Sequence, residues 1–411
     1  MGIMKGLKIG LITALVMIMF GLCGILVWGI RHTEDAFSTR TTYTDMQLVL
    51  DEEVSLDGID RINIQYDMNS NDIYFYEGEG DTLRVKEYAG YEADEGEIST
   101  VEINGNTLEI IGKRRNTHTI RIFGFGYSSG YGYTEIWLPD SYRNALEVKT
   151  SSGTIRADFD IALDGELSFT SSSGDMTLKE VSAAAVEITA TSGRINGTGL
   201  CAADGDGEIS VQTSSGDVRI EQFMGNTTIE TTSGRMEVET IAGGFSGSSS
   251  SGDITVGMAN GNAAVSTNSG IVKIRGGSGT RNISTSSGDV LIEKAEDVFE
   301  VSTTSGRAVV EAEKGAGSIE TSSGDVRLTL PELTGELKIR TNSGRVDIGF
   351  SKDAALMFEV NTTSGDIDTF FDDSLSFSKK GNHAKGTIGN EEQAKEVTIE
   401  TSSGDVRIKG E

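Results

Sequence analysis

The chain has 411 residues, of which 52 are Gly and only 2 are Pro, and its formal net charge is −28. So acidic a balance excludes nucleic acid or an anionic membrane surface as the main partner. The only cysteines, Cys23 and Cys201, allow no disulfide framework in the outer part, so stability must come from packing and backbone ladders.

Residues 9–30, IGLITALVMIMFGLCGILVWGI, form an uncharged, mostly apolar run long enough to cross a bilayer as one helix. A cleaved signal peptide would carry an apolar run of only ~7–15 residues and a small-x-small cleavage site. A transmembrane signal anchor is therefore expected. Lys5 and Lys8 put residues 1–8 in the cytoplasm and the bulk of the chain outside the cell membrane. Arg31 and His32 oppose that orientation, and Glu34 and Asp35 follow them. Cys23 raises the question of lipidation, but Leu22 precedes it and apolar sequence continues after it, so a plain membrane-buried Cys is expected. Residues 31–44 read as a polar linker.

From 45 to 145 the segments INIQYDM, DIYFYEG, TLRVKEY, TVEING, NTLEIIG, TIRIFGF and TEIWLPD alternate apolar and polar residues, which predicts strands. They form a β-rich cap or irregular first coils, as the open edge of a stacked array requires. Two clusters in this region are candidate ligand sites. Lys113, Arg114 and Arg115, with Arg121 nearby, are the densest basic patch and would suit a phosphate-rich wall polymer or lipid headgroups; the alternative is a solvated hairpin. Phe123, Phe125, Tyr127, Tyr131 and Tyr133 surround a Gly turn and would suit sugar stacking or self-association, unless they fold back on the cap.

Residues 146–411 carry a repeat. A Ser-Gly pair recurs with its glycine at 153, 174, 193, 216, 234, 252, 270, 288, 306, 324, 344, 365 and 404, and the six steps from Gly216 to Gly324 are 18 residues each. Apolar residues stand two and four positions after the glycine, as in Val290 and Ile292, and five before it, as in Ile283. The unit is strand, Ser-Gly corner, strand, second turn, and stacked units bury a continuous core. The corner Gly is expected for its conformational freedom. The residue after it alternates, Asp217, Arg235, Asp253, Ile271, Asp289, Arg307, Asp325, Arg345. An 18-residue coil would stack Asp on Arg, whereas a 36-residue coil would line one edge with Asp; like charges in a ladder repel, which favours the first. An insertion at about 368–394 contains a worn copy, Lys385-Gly386-Thr387-Ile388, and the array then ends on VTIETSSGDVRIKGE with no obvious C-terminal cap.

Signals for catalysis are weak. His32, His118 and His383 lie far apart, and neither HExxH nor CxxC occurs. The GxSxG match Gly126–Gly130 is followed by strand-like sequence, whereas a nucleophile elbow is followed by a helix. The unit SSGDV supplies one Asp per 18 or 36 residues without GGxGxD, so a turn Asp is expected and no metal or cofactor.

The stretch TEIWLPDSYRNALEVKTSSG, followed by repeated SSGD units, resembles a bacterial family of adhesin candidates, a β-strand-repeat domain of unknown function. The resemblance spans roughly residues 45–411 and identifies the chain as a membrane-anchored member. It implies a right-handed β-helix-like fold, often behind one membrane span, with some relatives near envelope-stress systems of Gram-positive bacteria. No functional residues carry over from it.

The expectation is an all-β, right-handed β-helix or β-solenoid of 18-residue rungs behind one transmembrane helix. Its expected role is a non-enzymatic structural or adhesion module of the envelope, with a wall polymer or membrane protein as partner. The alternatives are a carbohydrate-binding or carbohydrate-active β-helix protein, using carboxylates on one face, and an envelope-stress sensor stalk.

Overall fold

The alternation on either side of each Ser-Gly pair becomes two sheets of 18 strands, one built from the strands before the corners and one from the strands after them. The structure, a computed structural model, describes residues 46–410 apart from 67–70, 91–92, 115–118, 123–124, 129–131, 203–206, 372–374 and 378–380. Side chains between 115 and 131 are also outside the description. The expected span at 9–30 lies outside the described residues, among which no helix is long and apolar enough to cross a membrane.

Each strand pairs in parallel with the strand one unit on. Val218, Met236, Ile254, Val272, Val290, Ala308 and Val326 form one continuous row, so the coil is 18 residues long and not 36. The positions two and four after the corner point inward, with Val290 0% and Ile292 1% exposed. They meet the inward residues of the facing sheet, such as Ile283 and Val301, in one uninterrupted core. The fold is an all-β solenoid.

Two interactions at the corner explain its sequence. The residue three before each Gly is Thr or Ser in every unit but one, where it is Ala190. Its buried hydroxyl accepts a hydrogen bond from the corner amide, as in Gly234 N–H to Thr231 Oγ1 (3.0 Å) and Gly306 N–H to Thr303 Oγ1 (3.0 Å). A buried hydroxyl left without a partner would be costly, so this ladder is part of the core. The glycine itself is needed for proximity, not for its dihedral range. None of the 13 corner glycines lies in the left-handed region, yet a Cβ on Gly234 would overlap the Gly216 carbonyl oxygen, and one on Gly306 that of Gly288. The left-handed glycines sit instead at the second turn, Gly225 (φ 132°), Gly243 (φ 133°) and Gly261 (φ 146°) among them.

The Asp after the corner also has a different partner from the one expected. Its carboxylate accepts the backbone N–H of the equivalent residue in the next coil: Arg235 to Asp217 (2.9 Å), Arg307 to Asp289 (2.8 Å), Arg345 to Asp325 (2.9 Å). Ile271, which stands where the alternation calls for Arg, bonds Asp253 in the same way (2.9 Å). A side-chain ion pair closes only at Asp175–Arg194 (3.0 Å) among the described corner pairs. Asp289→Ala is therefore expected to lower stability by about 1 kcal/mol in chemical denaturation, whereas Asp289→Asn keeps an acceptor and loses less. If Asn loses as much as Ala, the charge and not the hydrogen bond is what stabilises.

Both ends of the stack depart from sequence order. At the N-terminal end the order is Gln47–Ser55, Thr82–Ala89, Gly132–Pro139, Asp72–Gly78, Ile155–Ala157 in one sheet, with Thr82–Ala89 antiparallel to Gly132–Pro139. In the other it is Thr100–Asn104, Thr107–Ile111, Arg61–Tyr66, Ala145–Thr150, with the outermost strand antiparallel. At the far end, strands Lys395–Thr401 and Val406–Gly410 insert between the coil ending at Phe350 and the coil Leu356–Thr369. The expected worn copy at 385–388 is not a coil: strand His383–Ile388 runs antiparallel to Leu356–Thr362. In this sheet the end is closed by that strand and by Ser376–Phe377, antiparallel to it, where no cap was expected, because the last coil in sequence is not the last in space; the other sheet ends on the parallel strand Ile367–Thr369. In the sheet built from the strands before the corners, antiparallel strands at both ends interrupt the parallel template that would otherwise recruit another chain.

Candidate interaction face

Three adjacent strands at the N-terminal end use the same alternation to opposite effect on their two faces. In DIYFYEG, Ile73 and Phe75 point inward and Tyr74 and Tyr76 outward. In GYTEIWLP, Thr134, Ile136 and Leu138 are buried, and Tyr133, Glu135 and Trp137 face out. In TLRVKEYA, Arg84, Lys86 and Tyr88 face out. Register then sets them in rows: Tyr88 beside Tyr133, Lys86 beside Glu135 beside Tyr74, and Arg84 beside Trp137 beside Tyr76. Arg156 of the next coil extends the middle row.

The rings pack on one another. Tyr88 stacks on Tyr133 (centroids 4.5 Å), Tyr76 on Trp137 (5.2 Å), and Tyr74 meets Tyr133 edge-on (5.9 Å). The Lys86 ammonium lies 4.7 Å from the Trp137 ring centre, a cation–π contact. Burial, with the Glu135 carboxylate next, pushes the Tyr133 phenol up to about 12. Burial also raises Glu135 itself, opposed by the Tyr88 hydroxyl and Lys86. At the rim, Arg84 grips Asp51 through two bonds of 2.8 Å; that contact holds Asp51 below the usual carboxylate range.

Beneath the face the core is polar. Asn71, Glu87 and Thr134 are each 0% exposed. Asn71 Nδ2 donates to Glu87 Oε1 (3.0 Å) and Thr134 Oγ1 (3.2 Å), and the Ser99 amide donates to Glu87 Oε2 (2.9 Å). The hydroxyls of Thr134 and Ser99 lie within hydrogen-bonding distance of the Tyr66 hydroxyl (2.9 and 3.1 Å). Such a network fixes the strands that carry the rings, so the face is preorganised. It offers fixed rings, phenol hydroxyls and paired charges in a plane, an arrangement suited to contact. Among the described residues no group of three or more His, Cys, Asp or Glu could hold a metal ion.

The residues expected to form a ligand site divide. Tyr133 is in the aromatic face. Lys113 is half-buried and Arg114 exposed just beyond strand Thr107–Ile111. Arg121 and Tyr127 lie in a separate hairpin, Thr119–Ile122 with Phe125–Ser128, and their side chains, like Arg115 and Tyr131 altogether, lie outside the described residues. Tyr133 has Tyr88 stacked on it and Tyr74 set edge-on to it, which leaves little ring face for a sugar. Tyr74, Tyr76, Tyr88 and Trp137 were missed, although a signal existed: all ten Tyr and both Trp occur at or before Tyr142.

The chain is 9% identical to a solved cell-adhesion candidate from Clostridium sporogenes, over 89% of this chain and 100% of the other, with a TM-score of 0.23. It is 12% identical to an adhesin candidate from Parabacteroides merdae, over 73% and 95%, with a TM-score of 0.28. A third, from Parabacteroides distasonis, is 13% identical over 74% and 98%, with a TM-score of 0.20. No curated protein matches the chain. Residues 59–266 and 297–409 match the Toastrack DUF4097 family model, and the chain belongs to that family.

Proposed function

We propose that this chain is a membrane-anchored, outward-facing, right-handed β-solenoid of the cell envelope that acts as a non-catalytic adhesion or interaction module, and that it docks a protein partner on the aromatic face. The observation that carries the reading is segregation. Five outward aromatic rings sit on three neighbouring strands, whereas no Tyr or Trp occurs after Tyr142. Tyr, Trp and Arg dominate the buried centres of protein interfaces, where rigid rings contribute area at low entropic cost. A protein surface is favoured over a glycan because each stacked pair already covers one face of both its rings and the Lys86 ammonium lies over Trp137, which leaves fewer open faces for a sugar. The chain enters the solenoid through strand Gln47–Ser55, which pairs with Thr82–Ala89 beside the face. The 16 residues between Ile30 and Gln47 tether that face to the proposed anchor, which favours a partner in the same envelope.

Two experiments on whole cells test this. External protease should remove the region after Glu34 and leave a small membrane fragment; full protection with intact outer layers reverses the orientation. A photocrosslinking residue at Tyr76 should give one discrete protein adduct that Trp137→Ala abolishes, with none from Asn282 on the other sheet. A glycan-sensitive smear, or adducts indifferent to Trp137, would overturn the protein-docking reading.

A further inference from the structure

We propose that the slot filled by the last coil, Lys395–Gly410, accepts the same coil from a second copy of this chain, so that two solenoids join at this end by exchanging coils. The inserted coil lies between two coils that both precede it in sequence. Leu337, Val397 and Phe358 form one inward row, Ile339, Ile399 and Val360 another, and Val346, Val406 and Ile367 a third. The corner glycines stack in the order Gly344, Gly404, Gly365. The inserted coil is thus a separable layer, held by backbone ladders on both sides, by Arg340–Glu400 (2.7 Å) on one neighbour and by Arg407–Asp368 (3.4 Å) on the other.

Two features distinguish it from every coil in the regular run. Its contacts close over 60 and 39 residues, where the regular steps close over 18. Until it docks, the two neighbours that precede it in sequence have their facing edges unpaired. Two unpaired parallel edges with an apolar floor are a template for a strand from any source. The segment leading to the coil passes through Gly389 in the left-handed region (φ 73°) and the exposed turn 390–393. That segment can redirect the coil without disturbing either ladder. A second copy offers an identical coil and identical contacts, so the closed and exchanged forms differ mainly in the connection. The tether gives a chain's own coil an advantage on the order of millimolar effective concentration. Copies confined to comparable local concentration favour exchange, and for its expected extent the inference rests on the anchored reading above.

The test uses the whole chain in its own membrane, with Cys23→Ser and Cys201→Ser in all copies. One tagged copy carries Arg340→Cys and a differently tagged copy Glu400→Cys, and both are made in the same cell. These two positions are register partners on adjacent parallel strands. Such strands lie ~4.8 Å apart, within disulfide range. A disulfide between the two tags forms only when the coil of one copy fills the slot of the other. The expected result is a mixed-tag disulfide in about one chain in ten or more, absent when Asn282→Cys replaces Glu400→Cys. A chain carrying both Arg340→Cys and Glu400→Cys should close internally. If it closes and the mixed pair gives no disulfide, exchange is refuted; if it does not close, the coil does not lie beside Arg340 and the slot itself is refuted. Alkaline extraction of the same membranes separates the two readings: mixed disulfides in protein released from the membrane would sink the anchor and leave exchange standing.

Discussion

Gly306→Ala is expected to destabilise the solenoid by about 3 kcal/mol or more, at or beyond the upper end of what overpacking a packed interior usually costs. The added Cβ would overlap the Gly288 carbonyl oxygen, with Thr303 Oγ1 closing the other side at 3.0 Å. Neither obstacle is the flexible end of a side chain. The carbonyl belongs to the neighbouring corner, and the hydroxyl is fixed by the amide it accepts, Gly306 N–H at 3.0 Å. Relief requires two coils to separate at the corner, and that separation breaks the backbone ladder on both sides of it. Gly96→Ala is the control, since nothing lies within 4 Å of its added Cβ; it should melt like the parent. Circular dichroism melts of the three proteins decide the matter, and a Gly306→Ala variant within a few degrees of the parent would show that the corner can yield. Val290→Asp probes the inward positions independently, with a buried unpaired carboxylate in place of an apolar side chain.

The inward positions and the 18-residue coil were legible because each coil repeats one apolar pattern in one register, so a single unit predicts all. The hydroxyl ladder was equally legible three residues before the glycines, from Thr150 to Thr401, with Ala190 its one gap. The role of the corner Gly was not, because a glycine needed for a positive φ and one needed for close stacking look the same in sequence. Ile271 could have warned that the Asp series was not paired with Arg, since it interrupts the alternation without interrupting the repeat. The insertion of the last coil was hidden for a deeper reason. Every coil offers the same edges, so periodicity reports which residues point inward but not which coil lies next to which. The aromatic face was half legible: alternation predicts that Tyr74, Tyr76 and Trp137 point outward, but only the out-of-sequence order of the N-terminal strands brings them together with Tyr88 and Tyr133.

Arg281 carries the second large effect. It occupies an inward position between Ala263 and Phe299 and is 2% exposed. A buried guanidinium is sustained only if its donors are matched, and here backbone carbonyls match them. Nη1 donates to Gly261 O and Gly279 O, both at 2.9 Å, and Nη2 to Ala259 O (2.7 Å) and Ser278 O (3.0 Å). The second turn of this coil causes the convergence: Gly277 (φ 109°) and Gly279 (φ 102°) aim successive carbonyls at one point. Asp297 fixes the turn from the next coil by accepting the Gly279 amide (2.7 Å), and its charge opposes the burial that pushes the guanidinium pKa down. Arg281→Ala removes every donor and leaves a void, and should cost about 3–5 kcal/mol. Arg281→Met separates the two contributions. It restores most of the volume but takes the Arg donors from these carbonyls, of which Ser278 O keeps the Gly261 amide (2.9 Å), so the loss is expected to be about 1–3 kcal/mol. Chemical denaturation is expected to rank the parent above Met and Met above Ala. A Met variant as stable as the parent would mean that the carbonyls find other donors and that Arg281 contributes by packing alone.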